Sequence, residues 1–289
     1  MNQQTAARLK LIVVMLLFGT IGIFVRTLAM PSSIIALVRG IIGSLFLLAV
    51  VFLRKTGINM SAVKRNWWKL LLSGGCIGVN WILLFESYRY TTVAIATICY
   101  YLAPAFVTLG SPLVSEKLTV KKLACIGVAM VGMVFVSGVL QGSQTGSMLG
   151  VVLAVGAAIL YASVILMNKK LSPIGAYDKT LCQLGAASIV VAPYILISGG
   201  VTFGEMTPGS WIILTVVGIV HTGIAYALYF GGIRDVNAQT AAILSYLDPV
   251  LSIILSALIL RERLDVFSII GAILILGSAL YSELPGRKK

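Results

Sequence analysis

Ten long apolar segments, separated by short polar connections, constrain the fold of this chain more than any other feature of its sequence. Each segment is about 20 residues long, and a helix of that length matches the roughly 30 Å hydrocarbon thickness of a bilayer. The approximate segments are 9–28, 33–53, 67–88, 92–113, 123–140, 149–167, 179–197, 211–231, 238–260 and 267–281. No connection is long enough for a separate soluble domain. The pattern predicts an all-α membrane protein with ten transmembrane helices.

Composition favours a lipid environment. The chain is 59% hydrophobic and 11% charged, whereas soluble domains carry roughly 25% charged residues and must keep a polar exterior. The net charge of +13 would favour nucleic acid as the partner of a soluble protein. Here the basic residues lie in short gaps between apolar segments and do not alternate with aromatic residues. We therefore expect the lipid bilayer, and not nucleic acid, as the partner of this chain.

The basic residues also predict an orientation, since Lys and Arg concentrate in cytoplasmic loops. With the N-terminus in the cytoplasm and ten crossings, most basic residues fall on the inside. The residues left on the outside are Arg26, Arg89, Arg261 and Arg263. The sequence thus predicts a multi-pass protein of the cell membrane with both termini cytoplasmic.

No cofactor or metal site is expected. The four cysteines, Cys76, Cys99, Cys125 and Cys182, all fall within apolar segments and form no Cys-x-x-Cys pair. Small buried hydrophobic side chains account for them better than a disulfide framework or a zinc site does. No Gly-rich phosphate-binding loop followed by Lys-Ser/Thr occurs, so ATP-driven transport by this chain is not expected either.

An internal repeat is the most informative pattern. Tyr-Leu-Ala-Pro at 101–104, in the fourth segment, returns as Tyr-Leu-Asp-Pro at 246–249, in the ninth. Residues 1–140 and 147–283 then form two units of five helices each. Because five is odd, the second unit enters the membrane from the opposite side. Inverted repeats of this kind are typical of alternating-access transporters, whose substrate sites lie between the halves near the membrane midplane.

A glutamate-containing signature follows each proline motif, Ser-Glu-Lys-Leu at 115–118 and Arg-Glu-Arg-Leu at 261–264. Seen twice at this spacing, these motifs resemble the EamA branch of the drug/metabolite transporter (DMT) superfamily, over about residues 9–283. The resemblance implies ten helices, a bacterial cell (inner) membrane, export of amino acids or other metabolites, and a central cavity between the halves. It does not specify a substrate.

Asp248 is the leading candidate for chemistry, because an ionisable group deep in a membrane is costly unless it is paired or faces water. It could bind a substrate amine or a proton. It could equally be a structural carboxylate that fixes a bend at Pro249. Ser245, Ser252 and Ser256 share its helical face, and this polar stripe is predicted to line a cavity.

Several other polar or aromatic residues at the same depth are candidates for substrate binding. Tyr101 and Tyr246 match between the repeats and suit an amino-acid-like ligand. Asn80, Trp81, His221 and Tyr226 lie midway along the matching third and eighth segments. The histidine could relay protons or simply bond across a helix interface. Tyr100 has no tyrosine opposite it in the repeat, which favours ordinary packing.

Arg39 lies within the second segment, where it could anchor a substrate carboxylate or pair with an acid or helix carbonyls. Glu86, near the outer end of the third segment, could be that acid, an extracellular gate or a solvated helix end. Pro104 and Pro249 remove backbone donors and bend their helices. We interpret both prolines as shaping gates, with helix packing as the alternative.

Three function classes follow. A secondary transporter of a small polar molecule, either coupled to protons or simply facilitating flux, fits the repeat and the bent helices. A channel-like facilitator would show a more continuous polar face. An intramembrane enzyme would need a nucleophile–base pair or a metal cluster at depth, and with one histidine the sequence provides neither. The oligomeric state cannot be inferred.

Overall fold

The computed structural model is built from helices. It describes residues 3–28, 30–55, 57–114, 119–136, 147–197, 207–232, 236, 244–245, 247–262 and 264–283. Within these ranges no β-strand occurs. The prediction of an all-α chain is therefore confirmed for the described residues.

The first half contains six helices. They are α1 (Gln3–Arg26), α2 (Ser32–Leu53), α3 (Met60–Tyr90), α4 (Val93–Tyr100), α5 (Ala103–Gly110) and α6 (Val120–Val136). Helices α4 and α5 share the predicted fourth segment and are separated by a turn at Tyr101 and Leu102. A short 3-10 helix, Ser111–Val114, continues α5.

The second half repeats this order. Its helices are α7 (Met148–Lys169), α8 (Ala176–Ile197), α9 (Pro208–Val216), α10 (Ala225–Gly232), α11 (Leu247–Leu258) and α12 (Val266–Glu283). Helices α9 and α10 are joined without interruption by a π-helical segment, Val217–Ile224. The junction between the halves, residues 141–146, lies outside the described residues.

Local sequence signals explain where several helices begin. The Asn59 side chain accepts a hydrogen bond from the Ala62 amide at the start of α3, and Thr92 accepts one from Ile95 at the start of α4. Such side chains satisfy amides that have no partner within the helix. Pro208 occupies the first position of α9, where the lack of an amide hydrogen costs nothing.

Seven helical stretches in the described residues are long and apolar enough to cross a membrane. They are Gln4–Arg26, Ser32–Leu53, Met60–Tyr90, Val93–Gly110, Met148–Lys169, Ala176–Ile197 and Pro208–Tyr229. Leu247–Leu258 and Val266–Tyr281 are shorter apolar helices. The structure thus supports a multi-span helical membrane protein, and each of the ten predicted segments contains helix.

Helix packing relates the two halves of the chain. Helix α3 packs against α7 and α8, and in the other half the stretch 208–232 packs against α1 and α2. Helix α1 packs on α11, as α7 packs on α4 and α5. The pairs α2–α8, α4–α11 and α6–α12 join equivalent helices of the two halves. Every principal contact therefore has a counterpart when the halves are exchanged.

Connections contact one another at both ends of the helix bundle. At the end with most basic residues, the Ser172 amide donates to Asn66 Oδ1 (2.9 Å) and Lys69 Nζ donates to the Lys170 carbonyl (2.8 Å). At the other end the Ser147 amide donates to the Tyr90 carbonyl (2.9 Å). Connections predicted to share a side of the membrane thus contact one another.

Candidate functional site

Asp248 lies where the start of α11 meets the break between α4 and α5. It is the second residue of α11 and is half-buried, and its Oδ2 accepts a hydrogen bond of 2.9 Å from the Tyr101 hydroxyl. Tyr101 occupies the break between α4 and α5, and its hydroxyl is also 3.1 Å from the Ser245 carbonyl. A direct side-chain contact therefore joins the two repeated Tyr-Leu-x-Pro motifs.

Arg39 is a buried cation in the middle of α2, with 5% of its surface exposed. Its Nε donates to Thr222 Oγ1 (2.8 Å), and the guanidinium lies 4.2 Å from the centre of the Trp81 ring. It also donates to the Tyr226 hydroxyl. The single ion pair within the described residues joins Arg89 to Glu86, so no carboxylate there pairs with Arg39. A desolvated guanidinium without a carboxylate is costly, so this position favours an anionic ligand.

A group of tyrosines lies between Arg39 and Asp248. We call Tyr88, Tyr100, Tyr101, Tyr161 and Tyr226 the tyrosine cluster. The ring centre of Tyr100 is 5.6 Å from that of Tyr161 and 6.4 Å from that of Tyr101. Tyr88 lies within electrostatic range of both Arg39 and Asp248. The cluster therefore connects a cationic group to an acidic one through aromatic faces and hydroxyls.

Tyr161 is the most exposed member of the tyrosine cluster. It lies midway along α7 and is 42% exposed, although its ring contacts Tyr100 and is within electrostatic range of Asp248. An exposed phenol is accessible to a small ligand, and its hydroxyl can donate or accept a hydrogen bond.

Asn80 and Trp81 occupy neighbouring positions on α3 with different roles. The Asn80 amide donates to the Ala157 carbonyl (2.6 Å) and is hydrogen-bonded to Tyr100, so it ties α3 to α7 and orients that ring. Trp81 lies beneath the Arg39 guanidinium, where a cation–π contact holds the charge in place.

His221 contacts α1 and lies within electrostatic range of Arg39. It is 2% exposed, its Nε2 is 2.8 Å from Thr20 Oγ1 and its ring centre is 5.0 Å from that of Phe24. The π-helical segment turns His221 towards α1 and the next residue, Thr222, towards Arg39 on α2. Segments of this kind are frequent at functional sites. The hydrogen bond across the helix interface matches the structural alternative for this histidine.

Glu86 is not the partner of Arg39. Its Oε2 accepts a hydrogen bond of 2.6 Å from Ser32 Oγ, and its Oε1 is 3.6 Å from Arg89 Nη1. Glu86 is close to the end of α3 and Arg39 is in the middle of α2, so the two charges lie at different depths. Glu86 instead ties the end of α3 to the first residue of α2.

The two prolines follow the Tyr-Leu motifs. Pro104 is the second residue of α5, immediately after the break, and Pro249 is the buried third residue of α11. Amides in the first turn of a helix have no partner within the helix, so a proline there costs no hydrogen bond. The fourth segment is interrupted at Tyr101 and Leu102, in the turn that precedes Pro104. Tyr246, predicted as the counterpart of Tyr101, lies outside the described residues.

The serine stripe of α11 does not line an open cavity. Ser252 and Ser256 are both buried, and Ser252 Oγ is 3.2 Å from Thr97 Oγ1 of α4. That prediction was wrong for these two residues, because Ser252 pairs with Thr97 where α11 packs on α4, and the Ser256 hydroxyl donates to the Ile253 carbonyl of its own helix (2.9 Å). Only the Asp248 end of the stripe reaches the tyrosine cluster.

Three members of the tyrosine cluster were absent from the sequence-based set of site residues. Tyr100 was assigned to packing because the repeat offers no matching tyrosine, and Tyr88 and Tyr161 were not considered. Tyr161 carried a usable signal, since it is a polar aromatic residue midway along an apolar segment. For Tyr88, which lies next to a helix end, the sequence offered no comparable signal.

Within the described residues, no three His, Cys, Asp or Glu side chains lie close enough together to hold a metal ion. The acidic and basic groups of the site are Asp248 and Arg39. Their arrangement is suited to binding and releasing a ligand with complementary charges.

Comparison with known proteins places this site in a transporter scaffold. Residues 6–138 and 148–282 each match the EamA-like transporter family. An uncharacterized transporter, YxxF, of Bacillus subtilis (strain 168) is 32% identical over 278 residues, which cover 95% of this chain and 88% of that protein. An uncharacterized transporter of Archaeoglobus fulgidus is 26% identical over 264 residues, covering 91% of each chain.

A solved protein structure shares the fold. It superposes with a TM-score of 0.66 at 19% sequence identity and covers 96% of each chain. At this identity the likeness concerns the fold alone.

Proposed function

Because the chain belongs to the EamA-like transporter family, within the DMT superfamily, we propose that it is a secondary transporter that exports a small polar metabolite, such as an amino acid, across a bacterial cell membrane. The observation that carries this proposal is the placement of Arg39 and Asp248 on either side of the tyrosine cluster. A zwitterion presents a carboxylate to the first, an ammonium to the second and an apolar body to the rings between them.

The proposed architecture has ten spans in two inverted five-helix repeats, residues 1–140 and 147–283, with both termini in the cytoplasm. The two family matches and the exchange symmetry of the helix contacts support it. In such transporters the substrate site lies between the repeats, and the repeats rock about it. The tyrosine cluster meets that expectation, since it draws side chains from α3, α4, α7 and α10.

In this proposal Arg39 anchors the substrate carboxylate by charge-assisted hydrogen bonds. Trp81 and Tyr226 hold the guanidinium, and Asn80 holds Tyr100. Tyr101 and its repeat counterpart Tyr246 belong to the substrate site. His221 supports the substrate site through its hydrogen bond to Thr20 of α1.

Asp248 has two roles in the proposed cycle. Occupied by a substrate amine or a proton, it exchanges its bond with Tyr101 for one with the incoming group, which loosens the contact between the two Tyr-Leu-x-Pro motifs. The helix interruption before Pro104 and the first turn of α11 at Pro249 then allow the halves to reorient. Glu86, bonded to Ser32 at the outer end, acts as a latch between α2 and α3 that opens when the site faces outward.

Counterflow in proteoliposomes tests the transporter proposal against a channel-like facilitator. Vesicles loaded with an unlabelled amino acid should accumulate the labelled one transiently above its external concentration, because a carrier returns across the membrane in the loaded form. A facilitator would only equilibrate the label. Equilibration without overshoot for every amino acid, amine and nucleoside tried would contradict the proposal.

Substitution Asp248→Asn tests the coupling role. The amide cannot carry a proton, so transport driven by a pH gradient should fall at least about tenfold, while counterflow should persist at a substrate concentration raised to offset the weaker binding of the ammonium. Asp265→Asn is the matched control, because Asp265 caps α12 by accepting from the Ser268 amide (2.7 Å) and asparagine caps equally well. Unchanged dependence on the gradient in Asp248→Asn would remove Asp248 from proton coupling.

A further inference from the structure

A cavity lined in part by Phe85 and Tyr88 adjoins the tyrosine cluster. It has a volume of about 270 Å³ and lies between the C-terminal ends of α1 and α3 and the N-terminal end of α2. Val25, Leu28 and Ile35 contribute apolar walls, and Arg26, Ser32 and Arg89 contribute polar groups. We call this cavity the outer vestibule, since the charge distribution predicts that these helix ends face away from the cytoplasm.

The two arginines of the outer vestibule are incompletely paired. Arg26 is exposed and makes no hydrogen bond or ion pair within the described part of the chain. Arg89 Nη2 donates to the Met30 carbonyl (3.1 Å), and its Nη1 is 3.6 Å from Glu86 Oε1. Charge-assisted hydrogen bonds are usually 2.7–2.9 Å long, so Arg89 retains donors for a better-placed oxyanion.

The nearby carboxylates are engaged with neutral donors. Glu86 takes its short hydrogen bond from the Ser32 hydroxyl (2.6 Å). Glu262, which is within electrostatic range of Arg26, accepts from the Val93 and Ala94 amides (3.1 and 3.4 Å). Each carboxylate is thus fixed by a second helix, and neither is placed to neutralise a guanidinium fully.

The outer vestibule and the tyrosine cluster share an aromatic wall, because Tyr88 belongs to both. Phe85 and Tyr88 line the vestibule and are almost fully buried. Phe85 lies 5.6 Å from the Arg39 guanidinium, and the Tyr88 hydroxyl is hydrogen-bonded to Thr97. The vestibule therefore has a closed apolar floor with a cationic rim.

We propose that the outer vestibule is a separate binding site for a small organic carboxylate, with the carboxylate held by Arg26 and Arg89 and the apolar body against Val25, Leu28 and Phe85. An oxyanion next to an apolar body is also offered by an anionic lipid headgroup. The enclosed volume, which holds a small molecule and not an acyl chain, favours the soluble acid. The site does not depend on transport, so its binding is measured at equilibrium.

The experiment measures binding of 3-phenylpropionate by titration calorimetry to the full chain in phosphatidylcholine nanodiscs. Arg39→Gln is used as the background, so that the tyrosine cluster contributes no cation. Arg26→Gln and Arg89→Gln should each weaken binding about tenfold, the loss expected for one charge-assisted bond. Arg54→Gln, an exposed arginine at the opposite end of α2, is the control and should leave the affinity unchanged.

Glu86→Gln distinguishes a binding role of the two arginines from a purely structural one. Removing the competing carboxylate should strengthen binding severalfold, although the substitution weakens the link between α2 and α3. Phenethylamine, with the same body and the opposite charge, should not bind. Equal melting temperatures for the variants would show that the arginine substitutions act on the site and not on folding.

Other outcomes would overturn the proposal. Affinity that is insensitive to both Arg26→Gln and Arg89→Gln places the ligand elsewhere, and binding that requires Arg39 places it in the tyrosine cluster. Absence of binding, or equal binding of phenethylamine, excludes a carboxylate site. If phosphatidylglycerol nanodiscs abolish binding while the free acid is inert in phosphatidylcholine, the vestibule binds a lipid headgroup instead.

Discussion

The buried charge of Arg39, which forms no ion pair within the described residues, is expected to lower stability while it serves substrate binding. A guanidinium that is 5% exposed and bonded to Thr222 and Tyr226 has lost most of its hydration, and no carboxylate within the described residues repays that cost. Retaining such a group is expected where a ligand supplies the missing charge. Active sites often carry destabilising residues for this reason.

Arg39→Gln should therefore separate transport from folding. Exchange of a carboxylate-bearing substrate should fall at least about tenfold, whereas the melting temperature of the ligand-free protein should stay constant or rise, because the buried charge is gone. Proteoliposome exchange and thermal unfolding in detergent measure the two effects. A large drop in melting temperature together with full exchange would assign Arg39 to structure alone.

Arg39→Lys is the informative partner of that variant. It keeps the charge, but lysine lacks the planar fork that lies over Trp81 and reaches Thr222 and Tyr226 together. We expect it to restore only a minor part of the exchange. Full activity of Arg39→Lys would mean that a positive charge, without directed hydrogen bonds, is sufficient.

Helix α4 begins against a carboxylate from the other half of the chain. Glu262 precedes α12 in the sequence, but Asp265 caps that helix. Glu262 instead accepts from the first two amides of α4, where the helix dipole also favours a negative group. This contact between residues distant in sequence could not be predicted, because it depends on how the two halves pack.

Glu262→Ala should destabilise the fold by about 1 kcal/mol, the usual cost of losing a helix cap, whereas Glu262→Gln should be nearly neutral. Burial is the largest influence on Glu262 and raises its pKa above the ordinary glutamate value, outweighing the Val93 and Ala94 hydrogen bonds. The fold therefore binds the proton of Glu262 more tightly than the unfolded chain does. The stability gained from this tighter proton binding is present below the ordinary glutamate pKa, and it is lost as the pH rises through the raised pKa of Glu262.

Thermal unfolding at a series of pH values from about 4 upwards measures this linkage. The melting temperature of the unaltered protein should decline over that range more steeply than that of Glu262→Gln, which has no proton to lose. Parallel curves for the two proteins would contradict the assignment of the pH dependence to Glu262.

Helices α1 and α11 approach closely at Gly19. A Cβ at this position would lie 2.7 Å from the Asp248 carbonyl oxygen and 3.0 Å from Leu251 Cβ, so an alanine would push α11 and the Asp248 carboxylate away from their present positions. Gly19→Ala should cost about 1–3 kcal/mol of stability, as overpacking does, and should reduce exchange.

Gly127→Ala in α6 is the control, since nothing lies within 4 Å of its Cβ, and it should be neutral or slightly stabilising. Equal effects of the two substitutions would remove the close approach as the cause.

Across the whole chain, the sequence predicted the helices better than the site. Apolar length and turn residues determine where helices lie, so each predicted segment contains helix. The repeated motifs predicted that Tyr101 and Asp248 share a site. The π-helical segment at Val217–Ile224 and the place of Tyr161 in the cluster depend on packing between distant helices, and composition or periodicity cannot report that packing.

Inversion of the two halves is the property of the whole molecule on which alternating access depends. Ser61 and Gly209 lie in the first turns of the corresponding helices α3 and α9, and both are exposed. In a background without the four native cysteines, Ser61→Cys should react with an impermeant maleimide only in inside-out vesicles. Gly209→Cys, whose nearest neighbouring atom would be 3.8 Å from its Cβ, should react only in right-side-out vesicles.

Reaction of both cysteines from the same side would mean that the repeats are parallel. An exchange of the halves could not then convert an inward-facing site into an outward-facing one, and the transport cycle proposed for Arg39 and Asp248 would lose its physical basis.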